Sequence, residues 1–291
     1  MLWGISFNNN PTVQDPWNST PAWQSPFDQR SSVAPSPGTS TLLDGSLFDM
    51  STAGLSAYAW INNSVYLELG AYHSAPNGIG DPARIDSAQA DIIDGLAPYW
   101  RVAYERQWDR NSWEVGAYGM VAKVFPGDGS ALTGPTNKYS DWAIDSQYQF
   151  IGDRTLLTFT GTYIDEKQTL DPSFGSINSS DDLKTLRLNA SYFYMRKYGA
   201  ALGYFSTTGS EDGGLYQSMV DPTDPTANYA NSKPDSKGWI AELDWVPYEN
   251  TKFALQYTMY NKFNGGDTNY DGFGRNAKDN NTLYILGWIN F

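Results

Sequence analysis

The chain has no cysteine and a single histidine, His73, in 291 residues. The first absence excludes disulfides, thiolate metal sites and covalent haem attachment through CxxCH. The second excludes bis-histidine haem ligation within the chain. No run of about 18 apolar residues is present, so no transmembrane helix is expected. Basic residues are few, 19 Lys and Arg against 32 Asp and Glu, for a net charge of −13. That balance argues against nucleic acid, because a polyanion needs a basic footprint. Gly-rich phosphate loops, HExxH, nucleophile elbows and zinc-ligand clusters are missing as well. No cofactor is expected. No signal peptide is visible, and strand-like sequence starts at Leu2, which points to a processed or N-terminally truncated form.

Aromatic residues make up 15 % of the chain, while charged residues make up only 18 %. Two kinds of β-protein absorb so many rings: carbohydrate-binding domains and membrane barrels with aromatic girdles. A negative mean hydropathy does not exclude the second, because a barrel strand is only half apolar and its loops are polar.

The hydrophobic period along the chain is two. It places strands at about 2–8, 51–61, 64–74, 96–108, 112–125, 139–151, 154–166, 183–195, 198–208, 237–247, 251–263 and 281–291. Most are nine or more residues long; a tilted barrel strand needs about 9–11 to cross hydrocarbon, against about 5–6 for soluble strands. Short connections (Asn62-Asn63, Asp109-Arg110-Asn111, Gly152-Asp153, Arg196-Lys197, Tyr248-Glu249-Asn250) alternate strictly with long ones (9–50, 75–95, 126–138, 167–182, 209–236, 264–280). Asn, Asp and Gly suit the positive φ of tight hairpins. Sorting of this kind matches the short periplasmic turns and long outside loops of outer-membrane barrels. The expected fold is therefore all-β: one domain over 1–291, a transmembrane antiparallel up-and-down barrel of about twelve strands. An even count puts both termini on the short-turn side.

Within strands, one parity is apolar and the other carries the charges. Phe253, Leu255, Tyr257 and Met259 alternate with Lys252, Ala254, Gln256 and Thr258. Trp142, Ile144 and Tyr148 alternate with Asp141, Ala143, Asp145 and Gln147. A charge at mid-depth in lipid costs about 2–4 kcal/mol. The polar parity is thus expected to face water or a polar packed interior, on a surface made of Glu68, Arg101, Glu105, Glu114, Asp141, Asp145, Glu166, Arg187, Glu242, Asp244, Lys252 and Lys262. Acids outnumber bases there, so an open pore would favour cations; a closed one would be filled by a network of carboxylate–guanidinium pairs. Trp60, Trp108, Trp113, Trp245 and Tyr248 beside short turns, and Phe125, Tyr139, Trp142 and Phe263 near long loops, are candidates for interfacial girdles.

The final strand, NNTLYILGWINF, alternates and stops on Phe291. It resembles the C-terminal signature of bacterial outer-membrane β-barrels. That resemblance implies residence in the outer membrane, contact with its lipid, and recognition of Phe291 by the barrel-assembly machinery. Two segments, SFNNNPTVQDPWNSTPAW near the start and YDGFGRNAKDNNTLYILGWINF at the end, resemble porin-like barrels found beside multihaem cytochromes. The likeness implies either a pore for small solutes or the sheath of an electron-carrying cytochrome. With no Cys and one His, this chain could be the sheath but not the wire.

Segment 9–50, rich in Pro, Ser and Trp, is either a constriction or plug or an exterior loop. His73-Ser74 points to opposite faces of a strand, so no nucleophile–base pair is expected and the chain is not read as an enzyme. Asp267-x-Asn269-x-Asp271-Gly272 matches half of a calcium loop, but the twelfth position is Lys278; turn chemistry is the competing account. The turns carry Arg106, Arg110, Arg154, Arg196 and Lys197, suited to an acidic partner or to lipid phosphates. Three roles follow for testing: a diffusion channel for ions or small polar solutes, a cytochrome partner, or a soluble carbohydrate-binding protein.

Overall fold

The structure, a computed structural model, describes residues 1–8, 37–44, 52–74, 92–125, 134–217 and 229–289. Strands dominate: β1 (Leu2–Asn8), β2 (Thr52–Ile61), β3 (Val65–Ser74), β4 (Ile92–Ile93), β5 (Ala97–Trp108), β6 (Asn111–Phe125), β7 (Asn137–Ile151), β8 (Thr155–Thr169), β9 (Ser180–Tyr194), β10 (Tyr198–Gly209), β11 (Ser236–Tyr248), β12 (Thr251–Lys262) and β13 (Thr282–Ile289). Helical structure among the described residues is limited to three short 3-10 turns. No helix there is long and apolar enough to cross a membrane, which says nothing of strands.

All the long strands lie in one antiparallel up-and-down sheet, in the order β1-β2-β3-β5-β6-β7-β8-β9-β10-β11-β12-β13. The added element is β4, two residues that pair with β6 through Ile92↔Phe125 and Ile93↔Val124. It is too short for any period to reveal. Among the described residues, the sheet runs as a series from β1 to β13 with no pairing that joins its ends. Three of the short turns use positive φ: Asn62 and Asn63 between β2 and β3, Asp109 between β5 and β6, and Met195 and Arg196 between β9 and β10. The β9–β10 turn thus contains the expected Arg196-Lys197 and begins one residue earlier, at Met195.

The sheet's two faces are inverted relative to a soluble protein. On β5, Pro98, Trp100, Val102, Tyr104 and Arg106 are exposed, while Ala97, Tyr99, Arg101, Ala103 and Glu105 are buried. On β7, Trp142 and Ile144 are exposed and Asp141 and Asp145 are buried. Ile5, Leu69, Leu243, Leu255 and Ile285 are exposed too. The buried parity defines an inner face and the apolar parity an outer face.

Rings divide between the faces less simply than their positions suggest. Trp108, Trp113, Trp142, Trp245 and Tyr248 are exposed on the outer side. Phe263, by contrast, is fully buried against Tyr260 and Tyr270. Tyr139 packs on the inner core, and Trp60 stacks near Tyr66 with centroids 6.3 Å apart. A strand-end position alone does not tell girdle from core.

Candidate functional site on the inner face

Arg101 is the centre of the inner face. It is wholly buried, and its Nη2 donates to Glu114 Oε1 at 2.9 Å and reaches Asp145 Oδ2 at 2.9 Å. Its guanidinium also lies 5.2 Å from the Tyr118 ring centroid. Register explains the convergence: Arg101 pairs with Tyr118 across β5–β6, and Gly116 pairs with Asp145 across β6–β7. Gly116 is needed for space. A Cβ there would lie 2.5 Å from Asp145 Oδ1, 2.6 Å from Arg101 Nη2 and 2.8 Å from Glu114 Oε1. The neighbouring Glu68 accepts hydrogen bonds from Ser56 Oγ and from Tyr66 OH at 2.8 Å. Glu105, opposite Glu114 in register, accepts from Gln107 Nε2 at 2.6 Å and Ser112 Oγ at 2.9 Å. Each buried carboxylate is thus held by donors, as buried charge requires.

Above this cluster, toward the long loops, residues 37–44 of the 9–50 segment lie against the inner face. Leu42 N–H donates to Glu166 Oε2 at 2.6 Å and Leu43 N–H to Asp141 Oδ2 at 3.1 Å. Asp141 and Glu166 face each other across β7–β8. Asp44 takes both Nε and Nη2 of Arg187, at 2.6 and 2.7 Å. Gly38 N–H donates to Asn264 Oδ1 at 3.0 Å, and Thr39 and Tyr229 share a hydroxyl hydrogen bond of 2.7 Å. Leu42 and Leu43 join Tyr72, Ile93, Tyr99, Met120, Val124 and Ile164 in one apolar cluster inside the sheet. The charged network and this apolar cluster together fill the inner face from β3 to β8.

From β9 to β12 the inner face is different. Small or polar positions, Asn189, Ser191, Gly199, Ala201, Gly203 and Ala254, lie in register across β9–β12, among the larger Phe193, Phe205, Ile240 and Tyr260 of the same parity. Lys252 Nζ contacts Glu242 Oε1 at 3.1 Å and Asp244 Oδ1 at 2.7 Å, and Gln256 Nε2 donates to Glu242 Oε2 at 2.7 Å. Here part of the charge remains accessible, with side-chain exposures of 36 % for Lys252, 21 % for Glu242 and 41 % for Arg187, while Asp244 is buried. Lys262 is not part of that group; it pairs with Asp235 at 2.7 Å, at the long-loop end.

Other sequence-level candidates take structural places. Ser74 is buried and its Oγ accepts from Ile93 N–H at 3.0 Å. His73 is exposed, with Nδ1 2.5 Å from the Gly95 carbonyl. The two lie on opposite faces. Asp271 Oδ1 accepts from Phe273 and Arg275 N–H at 2.8 and 3.1 Å, Asn269 Oδ1 from Gly274 N–H at 2.5 Å, and Asp267 Oδ1 from Thr268 N–H at 2.9 Å. These oxygens are occupied by the turn, and no group of three acidic, His or Cys side chains suited to a metal occurs among the described residues. Phe291 lies outside the described residues.

Two residues organise the long-loop side. Asp212 accepts from Ile177 N–H, Asn178 N–H, Gly214 N–H and Leu215 N–H at 2.7–3.2 Å, tying the β8–β9 loop to the β10–β11 loop. Burial opposes its ionisation, but the four N–H groups outweigh that and hold its carboxyl below the ordinary value. Burial of Tyr229 raises its hydroxyl above the ordinary value.

Sequence reasoning assigned the inner-face charges from parity. It missed Asp44, Leu42 and Leu43, because no period marks them. No family model matches the chain, and no curated protein matches it.

Proposed function

We propose that the chain is the wall of a bacterial outer-membrane β-barrel that passes ions or small polar solutes along the β9–β12 side of its interior, with a preference for cations. The observation that carries the reading is the inversion of polarity: a fully buried Arg101 and its carboxylates back onto an outer face of exposed Trp, Leu and Ile. An apolar outer face around charged inner groups is stable where hydrocarbon replaces water outside. Twelve long strands of about 7–15 residues, all antiparallel, leave β1 and β13 running in opposite directions; a pairing between them would close the cylinder and remove both edges. Partners on this reading are outer-membrane lipid and the assembly machinery that reads the last strand. Cation preference rests on the excess of inner acids over inner bases, whose summed field attracts counter-ions.

Purified protein should show heat-modifiable gel migration and discrete conductance steps in planar bilayers. Its reversal potential in a salt gradient should favour cations, less so at high ionic strength. Glu242→Gln with Asp244→Asn should reduce that preference. Folded, inserted protein that never conducts would remove the channel.

A second reading is favoured by the filling between β3 and β8: the barrel serves as a non-haem sheath or partner for a multihaem cytochrome. Copurification of a haem protein, together with silence in bilayers, would select it.

A further inference from the structure

The outer face carries charge only near the strand ends. Toward the long loops, four consecutive strands present lysines outward: Lys123 on β6, Lys138 on β7, Lys167 on β8 and Lys184 on β9, all exposed. Lys123 and Lys138 are direct cross-strand partners. Like charges placed opposite one another on a sheet destabilise it. Yet no ion pair engages Lys123, Lys138 or Lys167 among the described residues. Lys184 is the exception, 3.6 Å from Asp165, and Asp182 stands opposite Lys167 in register. Asp94 continues the β4–β6 register opposite Lys123, so among the described residues four lysines stand beside three aspartates, on a chain whose net charge is −13.

Directly below the strip lies the apolar band. Trp142 follows Lys138 and Ser140 along the outer parity of β7, and its ring meets Tyr163 edge-on at 5.9 Å. Val121 precedes Lys123 on β6 and Leu186 follows Lys184 on β9. Cations above rings above aliphatics is the order in which a leaflet presents phosphate, interface and acyl chain.

We propose that this lysine strip binds the phosphate of an anionic lipid headgroup in the leaflet facing the long loops, with the acyl chains laid over Trp142 and Tyr163. The Lys123–Lys138 pair is the specific element: two directly opposed cations, with no ion pair to either among the described residues, suited to one phosphate rather than to diffuse charge. This site rests on the membrane-barrel reading above.

The test uses folded protein in phosphatidylcholine bilayers doped with phosphatidic acid, with bromine on the acyl chains of one lipid or the other to quench tryptophan. Brominated phosphatidic acid should quench more than brominated phosphatidylcholine at equal content. Each lysine removed should weaken that selectivity about fivefold, so Lys123→Gln with Lys138→Gln should abolish most of it. Trp142→Phe should remove much of the difference in quenching between the two brominated lipids, the other outward tryptophans being quenched by both, while leaving the lysine doublet intact. Equal quenching by both lipids, or selectivity that survives in the double lysine variant, would overturn the site. Competition by inorganic phosphate at matched charge would mean that free anions, not lipid, occupy it, and would overturn the lipid assignment. Failure to insert into bilayers at all would instead count against the barrel reading, and heat-modifiable migration of the same sample distinguishes the two failures.

Discussion

The inner face from β3 to β8 and the inner face from β9 to β12 are built on the same outer wall and the same alternation, yet among the described residues one seals its charges and the other leaves part of its charge accessible. The first places Arg101, Glu114 and Asp145 in full burial and seals the space above them with Leu42 and Leu43. The second sets Gly199, Ala201, Gly203 and Ser191 among Phe193 and Ile240, buries Asp244, and leaves Lys252, Glu242 and Arg187 partly exposed. Charge by itself therefore does not make a passage. The volume of the residues beside the charge decides whether water reaches it.

The comparison breaks most severely at Arg101. Replacing it with Met leaves Glu114 and Asp145 buried without their cation, a loss of about 3–5 kcal/mol, read as a lower temperature for the gel-mobility shift. The matching substitution in the other half, Lys252→Met, should cost less, since Glu242 keeps access to water and a hydrogen bond from Gln256, and only Asp244 is left buried without its cation. Equal losses would dissolve the distinction between the two halves. Next in size is Leu43→Ala. It should cost about 2–5 kcal/mol if its cavity does not collapse and raise single-channel conductance, because the seal over the filled half is thinned. Gly116→Ala should follow at about 1–3 kcal/mol, by forcing a methyl into the Arg101 cluster. Gly203→Ala, where the nearest atoms are 3.7 Å away, should be near neutral in the same assay. The smallest effect concerns the loops. Asp212 has a lowered carboxyl pKa when folded, so its stabilising hydrogen bonds are present above the ordinary carboxylate value and are lost as pH falls through the lowered one. Proteolysis of the β8–β9 and β10–β11 loops should rise in that acid window for the wild type. Asp212→Asn should flatten the dependence.

Much of this was readable in the sequence, and for identifiable reasons. Strands of ten residues or more repeat a period of two, so Trp142 and Asp145 declare their opposite faces without any structure. The alternation of Asn62-Asn63 and its like with long connections declares the hairpins. What stayed hidden has no period. Thr41 to Asp44 enter the interior through backbone N–H groups and one carboxylate, which no pattern of apolar residues announces. Parity also placed Glu242 and Glu114 in the same class, although one is half-accessible and the other sealed. Their difference comes from neighbours on adjacent strands, such as Ala201 beside Glu242, and Arg101 and Gln147 beside Glu114, whose register a single segment does not contain.

The 37–44 peptide also constrains the order of assembly. Its contacts reach Asp141, Arg187, Tyr229 and Asn264, over separations of 98 to 226 residues. Such closures pay their chain entropy before any reward is returned. The peptide can seat only once the wall from β7 to the last hairpin already stands, so Asp44→Asn should leave the early kinetics of strand pairing untouched and alter only the final, slowest phase of refolding.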